Sequence, residues 1–191
     1  RDRPAPRGSA GDARSLAGGP GREKGSMKPV IGLDPGTTES AFVAYNGQAI
    51  TCIGIIENEQ MVLRLAEQQE PAFLVVEEFE SFGMAVGREV FRTIRWTGRF
   101  EQAYPWPNLV VFMPRRQVKQ HICHTARATD ANIRQELLDR FGGQATAIGS
   151  KRTAGPLYGL KSHLWSALAL AVTYHDLSGH LPPDIRPRRR P

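Results

Sequence analysis

Val30-Ile31-Gly32-Leu33-Asp34-Pro35-Gly36-Thr37-Thr38-Glu39-Ser40 decides the reading of this chain: four residues without a polar side chain run straight into an acid and a Pro-Gly turn. An apolar run this short, with no polar alternation, suits a central strand covered on both faces. Periodicity alone also admits a buried helix segment, and Pro35-Gly36 directs the reading to strand and turn. A carboxylate at the end of a buried strand is costly unless compensated. A divalent metal, a helix N-terminus or a buried base would each do so. The plainer alternative is that Asp34 caps the turn through its own backbone, and this stretch does not choose between the two.

A second apolar run, Phe73-Leu74-Val75-Val76, finishes on Glu77-Glu78. If the two strands pair side by side, Asp34 and Glu77 come within reach of one ion, at the carboxyl edge where open α/β sheets form their sites. A hydrated strand terminus is the ordinary alternative for Glu77 and Glu78. Between these runs, 41–45 and 49–56 read as a hairpin around Asn46-Gly47, and 59–69 reads as a helix ended by Pro71.

Downstream, 85–103 reads as a long helix with Arg88, Arg92, Arg95 and Arg99 on one face. Phe91, Ile94 and Gly98 form an adjoining stripe, enlarged by Trp96 and Phe100, so that one side packs while another meets phosphate or a partner's acids. Solvated surface charge is the commoner explanation of such a face. Leu109–Met113 supplies a further strand, and Pro114 opens a short helix carrying Arg115, Arg116 and Lys119. Residues 130–141 form an amphipathic helix closed by Gly142-Gly143, and 144–161 read as a mobile loop. The last element, 162–176, is an Ala/Leu-rich helix with His163 and Ser166 one turn apart, where a structural histidine is the usual explanation.

The chain has 191 residues and a formal charge of +6. Its tails account for more than that excess, because residues 27–185 hold 15 Lys and Arg against 16 Asp and Glu. Distribution is more informative: residues 88–127 are strongly basic, a candidate phosphate-facing surface. Residues 1–26 lack apolar periodicity and read as a disordered extension or vector-derived remnant, residues 27–178 as one domain, and residues 179–191 as a basic tail. Cys52 and Cys123 make neither a disulfide framework nor, with His121 and His124, a zinc-finger spacing, which argues for a reducing compartment. No apolar stretch reaches the length of a membrane span, and the expected location is cytoplasmic.

In order and spacing, these segments resemble the RuvC family of Holliday-junction resolvases from Met27 to about His175. Ile31-Gly32-Leu33-Asp34-Pro35-Gly36 is similar to that family's first catalytic strand, Val75-Val76-Glu77 to its second, and Arg116-Gln117-Val118-Lys119-Gln120 to a segment with a functional lysine. Ser162-His163-Leu164-Trp165-Ser166-Ala167-Leu168-Ala169 is similar to its C-terminal catalytic helix. Ser166 stands where the family's final Asp is expected, His163 where it has Asp or His, and Asp130 near a second basic position. The resemblance implies a ribonuclease H-like α/β fold, with a mixed five-stranded sheet flanked by helices, a homodimer, and cleavage of branched DNA such as a four-way junction.

It further implies Mg2+ or Mn2+ held by Asp34, Glu77 and His163, with Ser166 contributing through water, and Lys119 offsetting charge on the phosphate. Arg88, Arg92, Arg95, Arg99, Arg115 and Arg116 would contact DNA. Two alternatives accompany it. One is a branched-DNA-binding dimer weakened by the loss of the acid at 166. The other follows from the likeness of Asp34–Ser40 to the phosphate loop of actin, sugar-kinase and chaperone ATPases, although a single subdomain does not enclose a nucleotide.

Overall fold

The opening apolar run is the middle strand of a five-stranded sheet. The computed structural model describes residues 28–178 apart from 82 and 84, so the readings of 1–26 and 179–191 lie outside the described residues. The strands are β1 (Val30–Asp34), β2 (Glu39–Tyr45), β3 (Ile50–Glu57), β4 (Phe73–Glu78) and β5 (Val110–Pro114), in spatial order β3-β2-β1-β4-β5. β1 pairs antiparallel with β2 and parallel with β4, while β4 pairs parallel with β5. The mixed sheet expected of a ribonuclease H-like fold is therefore present.

All five residues of β1 are buried, because helices cover both faces of the sheet. Ile31, Leu33, Phe42, Leu74 and Val76 point to one face, where Met61 and Leu65 of α1 (Asn58–Ala66) and Phe100 of α2 (Arg88–Ala103) meet them. Val30, Val43 and Val75 point to the other, against α3 (Arg115–Cys123), α4 (Asp130–Arg140) and α6 (Leu164–Ser178). This period-two division explains the missing polar alternation: both faces are core.

Gly32 fixes how α6 lies. A Cβ at this position would stand 2.0 Å from the Ala167 carbonyl oxygen, so the helix rests on bare backbone. The other end of α6 reaches the β2–β3 turn, where His175 and Tyr45 contact edge to face. The helix thus runs back along the sheet with its N-terminus at the end of β1 that carries Asp34.

Three sequence expectations change. Helix α2 begins at Arg88 rather than 85, after Gly87 in extended conformation. Of its apolar surface, Phe100 is buried and Trp96 packs partly on the core as expected, beside buried Thr93, whereas Phe91 and Ile94 do not pack and are 55% and 47% exposed. The segment 144–161 is ordered around α5 (Gly143–Ile148), since fully buried Leu157 donates its N–H to the Ala147 carbonyl at 2.7 Å. Its sparse apolar residues show no periodicity, yet Ala147 and Leu157 are both anchors in the core.

Candidate active site

β1 and β4 pair in parallel with Leu33 opposite Val76, so the next residues, Asp34 and Glu77, leave the ladder side by side. Both are largely buried at 8% exposure. The turn after Asp34 is tied down by two buried side chains. Gly36 N–H donates to Ser40 Oγ at 3.2 Å, the Ser40 hydroxyl to Asn58 Oδ1 at 2.6 Å, and Asn58 Nδ2 to the Gly36 carbonyl at 3.1 Å. The Asn58 N–H also reaches the Thr38 carbonyl at 2.9 Å. Paired polar groups in the core hold geometry firmly, because breaking one bond strands its partner away from water. The same bonds engage the Gly36 N–H internally, which counts against the nucleotide-phosphate loop.

The N-terminus of α6 brings the third side chain. Ser162 takes a left-handed φ of 45° and the helix begins at Leu164, two residues later than the sequence suggests. The His163 carbonyl accepts from Ala167 N–H at 3.1 Å, which makes His163 the residue that leads into the helix. Its Nδ1 lies 3.1 Å from Asp34 Oδ2, while the ring itself is 68% exposed.

Arg115 enters from the opposite side. β5 sets Met113 beside Glu77 and Pro114 beside Glu78, so the first residue of α3 emerges at the carboxylates. Its Nη1 lies 3.0 and 3.3 Å from the two Glu77 oxygens and 3.4 Å from Ser166 Oγ, and its Nη2 lies 2.5 Å from Asp130 Oδ1. Burial works against the guanidinium charge, but Glu77 and Asp130 outweigh it and raise the Arg115 pKa above its ordinary value. Asp34 is pushed up to about 7, first by burial and then by the Glu77 charge, with His163 and Arg115 opposing.

These groups open onto a cleft of about 960 Å³ whose wall also carries Phe79, Trp165, Arg134 and Lys161. Asp34, Glu77, His163, Ser166 and Arg115 are thus brought together. Arg88, Arg92, Arg95 and Arg99 are exposed on α2 and do not line it. Neither do Arg116, which lines a separate cleft of about 720 Å³ with His121 and His124, nor Lys119, one turn beyond Arg115. Sequence reasoning did not single out Arg134, which lies over the Trp165 ring at 5.1 Å, or assign Lys161 to the site. The basic residue on an otherwise ordinary amphipathic helix gave no signal of its own.

The donor chemistry discriminates between one metal ion and two. The Asp34 carboxylate and the His163 imidazole are adjacent and open to the cleft, and the pair would suit a divalent ion. Among the described residues no group of three or more His, Cys, Asp or Glu side chains could hold a metal ion. Glu77 is occupied by Arg115, and Ser166 is a neutral hydroxyl. That leaves one carboxylate and one imidazole facing the cleft, donors that could serve one ion and are too few for two.

A mixed sheet of this order, helices on both faces, and acids at the ends of the middle strand and its parallel neighbour define a ribonuclease H-like α/β fold. Within that class the chain has the fold of RuvC. It is similar to the Thermus thermophilus RuvC structure, with a TM-score of 0.61 and 18% identity over 80% of this chain and 96% of that one. It is likewise similar to T. thermophilus RuvC in complex with a Holliday junction substrate, with a TM-score of 0.58 and 19% identity over 80% and 95% of the two chains. No family model matches the sequence, and no curated protein matches it.

Proposed function

We propose that the protein is a metal-dependent, structure-specific endodeoxyribonuclease that hydrolyses phosphodiester bonds in branched DNA, working as a homodimer on four-way junctions. One observation carries the reading: two buried carboxylates, Asp34 and Glu77, leave adjacent parallel strands together, with an exposed imidazole 3.1 Å from the first. Asp34 and His163 would hold Mg2+ or Mn2+. When bound, the ion supplies Lewis-acid polarisation of the phosphodiester and a more acidic water.

The chain's own groups do the rest. The Arg115 guanidinium faces the cleft and offsets charge that develops on the phosphate, the duty the family resemblance assigned to Lys119, which does not line the cleft. The His163 Nδ1, 3.1 Å from Asp34, is the nitrogen that would serve the ion, and the Nε2–H is left to donate a hydrogen bond to a phosphate oxygen. Arg134 and Lys161 on the rim would draw in the DNA backbone, and the exposed arginine face of α2 would offer it a further surface. The exposed Phe91 and Ile94 beside it support a second copy packed on α2, which gives two sites related by a two-fold axis for two symmetric strands.

Incubating labelled four-way, flap and duplex DNA with magnesium or manganese tests the proposal. Wild type should cut the junction, and Asp34→Asn and Glu77→Gln should each lose at least about 10²-fold in rate while still binding it. Near-wild-type turnover by either variant overturns the assignment. Junction binding by wild type without metal-dependent cleavage would leave a DNA-binding dimer.

A further inference from the structure

Arg115 occupies the side of the site where a second metal ion would need Glu77 and an acid at position 166. Both of those requirements are changed in this chain. Glu77 already has a cation, with Arg115 Nη1 3.0 and 3.3 Å from its oxygens, and the residue at 166 is a hydroxyl that lies 3.4 Å from the same nitrogen. The far end of the guanidinium is anchored by Asp130 at 2.5 Å, so it is held from both sides rather than lying loosely over Glu77. Asp130 itself is 74% exposed and its charge is largely screened by solvent.

Building on the nuclease reading, we propose that the Arg115 guanidinium is the site's built-in second cation, and that each protomer binds one divalent ion, on Asp34 and His163, rather than two. Geometry agrees: a planar guanidinium presents several N–H donors, so Arg115 keeps donors for a phosphate oxygen while it holds Glu77. Ser166 is then the matching change, since an Asp there would compete with Glu77 for Arg115 and rebuild the second metal site.

The test counts manganese ions on the full chain by calorimetry and by electron paramagnetic resonance, without DNA. Wild type and Arg115→Lys should bind one Mn2+ per protomer, with the spectrum of an isolated ion. Arg115→Gln combined with Ser166→Asp should bind two, spin-coupled at roughly 4 Å. Asp34→Asn should lose the wild-type ion. On junction DNA, Arg115→Gln alone should cut about 10²- to 10³-fold more slowly, and adding Ser166→Asp should restore cleavage with a steeper manganese dependence.

Two coupled ions in wild type overturn the proposal while leaving the nuclease reading intact. Wild type that binds no Mn2+ at millimolar concentration overturns the nuclease reading itself. If the double variant misfolds by circular dichroism, the wild-type count still decides, because one ion supports the built-in cation and two exclude it.

Discussion

Asp34 is held neutral up to about pH 7 by burial first and by Glu77 second. Its usual carboxylate value is 3.8, so folding favours the protonated form, and the stability this lends is complete below about pH 4 and lost as pH rises through about 7. Asp34→Asn removes the buried charge. In chelator, the variant should melt above wild type at pH 8, by on the order of 2–4 kcal/mol, and match it near pH 4. Equal melting at both pH values would show that Asp34 is not desolvated as described. Asp34 and Glu77 were legible in the sequence because each closes an apolar run whose length matches a buried strand. Arg115 was legible only as a basic residue near DNA. Its place on Glu77 depends on the β4–β5 register, which brings together residues 38 positions apart, and no local pattern encodes that.

At the level of elements, the seat of α6 on β1 is the joint that assembles the site. Gly32→Ala would drive a methyl carbon to 2.0 Å from the Ala167 carbonyl oxygen and 2.9 Å from the Ala171 nitrogen, both backbone atoms that cannot swing aside. The helix must lift, and urea unfolding should show a loss of at least about 1–3 kcal/mol. Cleavage should fall further than stability does, because lifting α6 carries His163 away from Asp34. An unchanged unfolding midpoint would mean that helix and strand do not touch there. The sequence announced α6 by its Ala and Leu content and β1 by its apolar run, but not that they cross at Gly32. It misjudged 144–161 for a related reason: Ala147 and Leu157 are too far apart in sequence to form a period, and each becomes core only when the α4–α6 layer closes over it.

For the whole molecule, the exposed side of α2 is a surface that its own core does not cover. Phe91 and Ile94 stand out at 55% and 47% exposure beside four arginines. Sedimentation velocity at micromolar concentration should find wild type dimeric and Phe91→Glu combined with Ile94→Glu monomeric, with the helical content of both unchanged. A monomeric wild type would sink the two-site scheme. Arg92→Ala and Arg95→Ala should each lower the slope of junction affinity against salt by about 1 if those side chains meet phosphate. The helical pattern correctly gave the arginine face, whereas the apolar stripe read as core because a sequence does not say whether the surface that covers it belongs to the same chain.

The close contact of α6 with Gly32 also bears on how such a site changes over generations. The helix is located by backbone against backbone at Ala167 and Ala171, not chiefly by the side chains at 163 and 166. Their chemistry is therefore exchangeable: acid, imidazole or hydroxyl can be tried at the mouth of the cleft on an undisturbed frame. A fold joined in this way keeps its architecture when the side chains at the mouth of its cleft are exchanged.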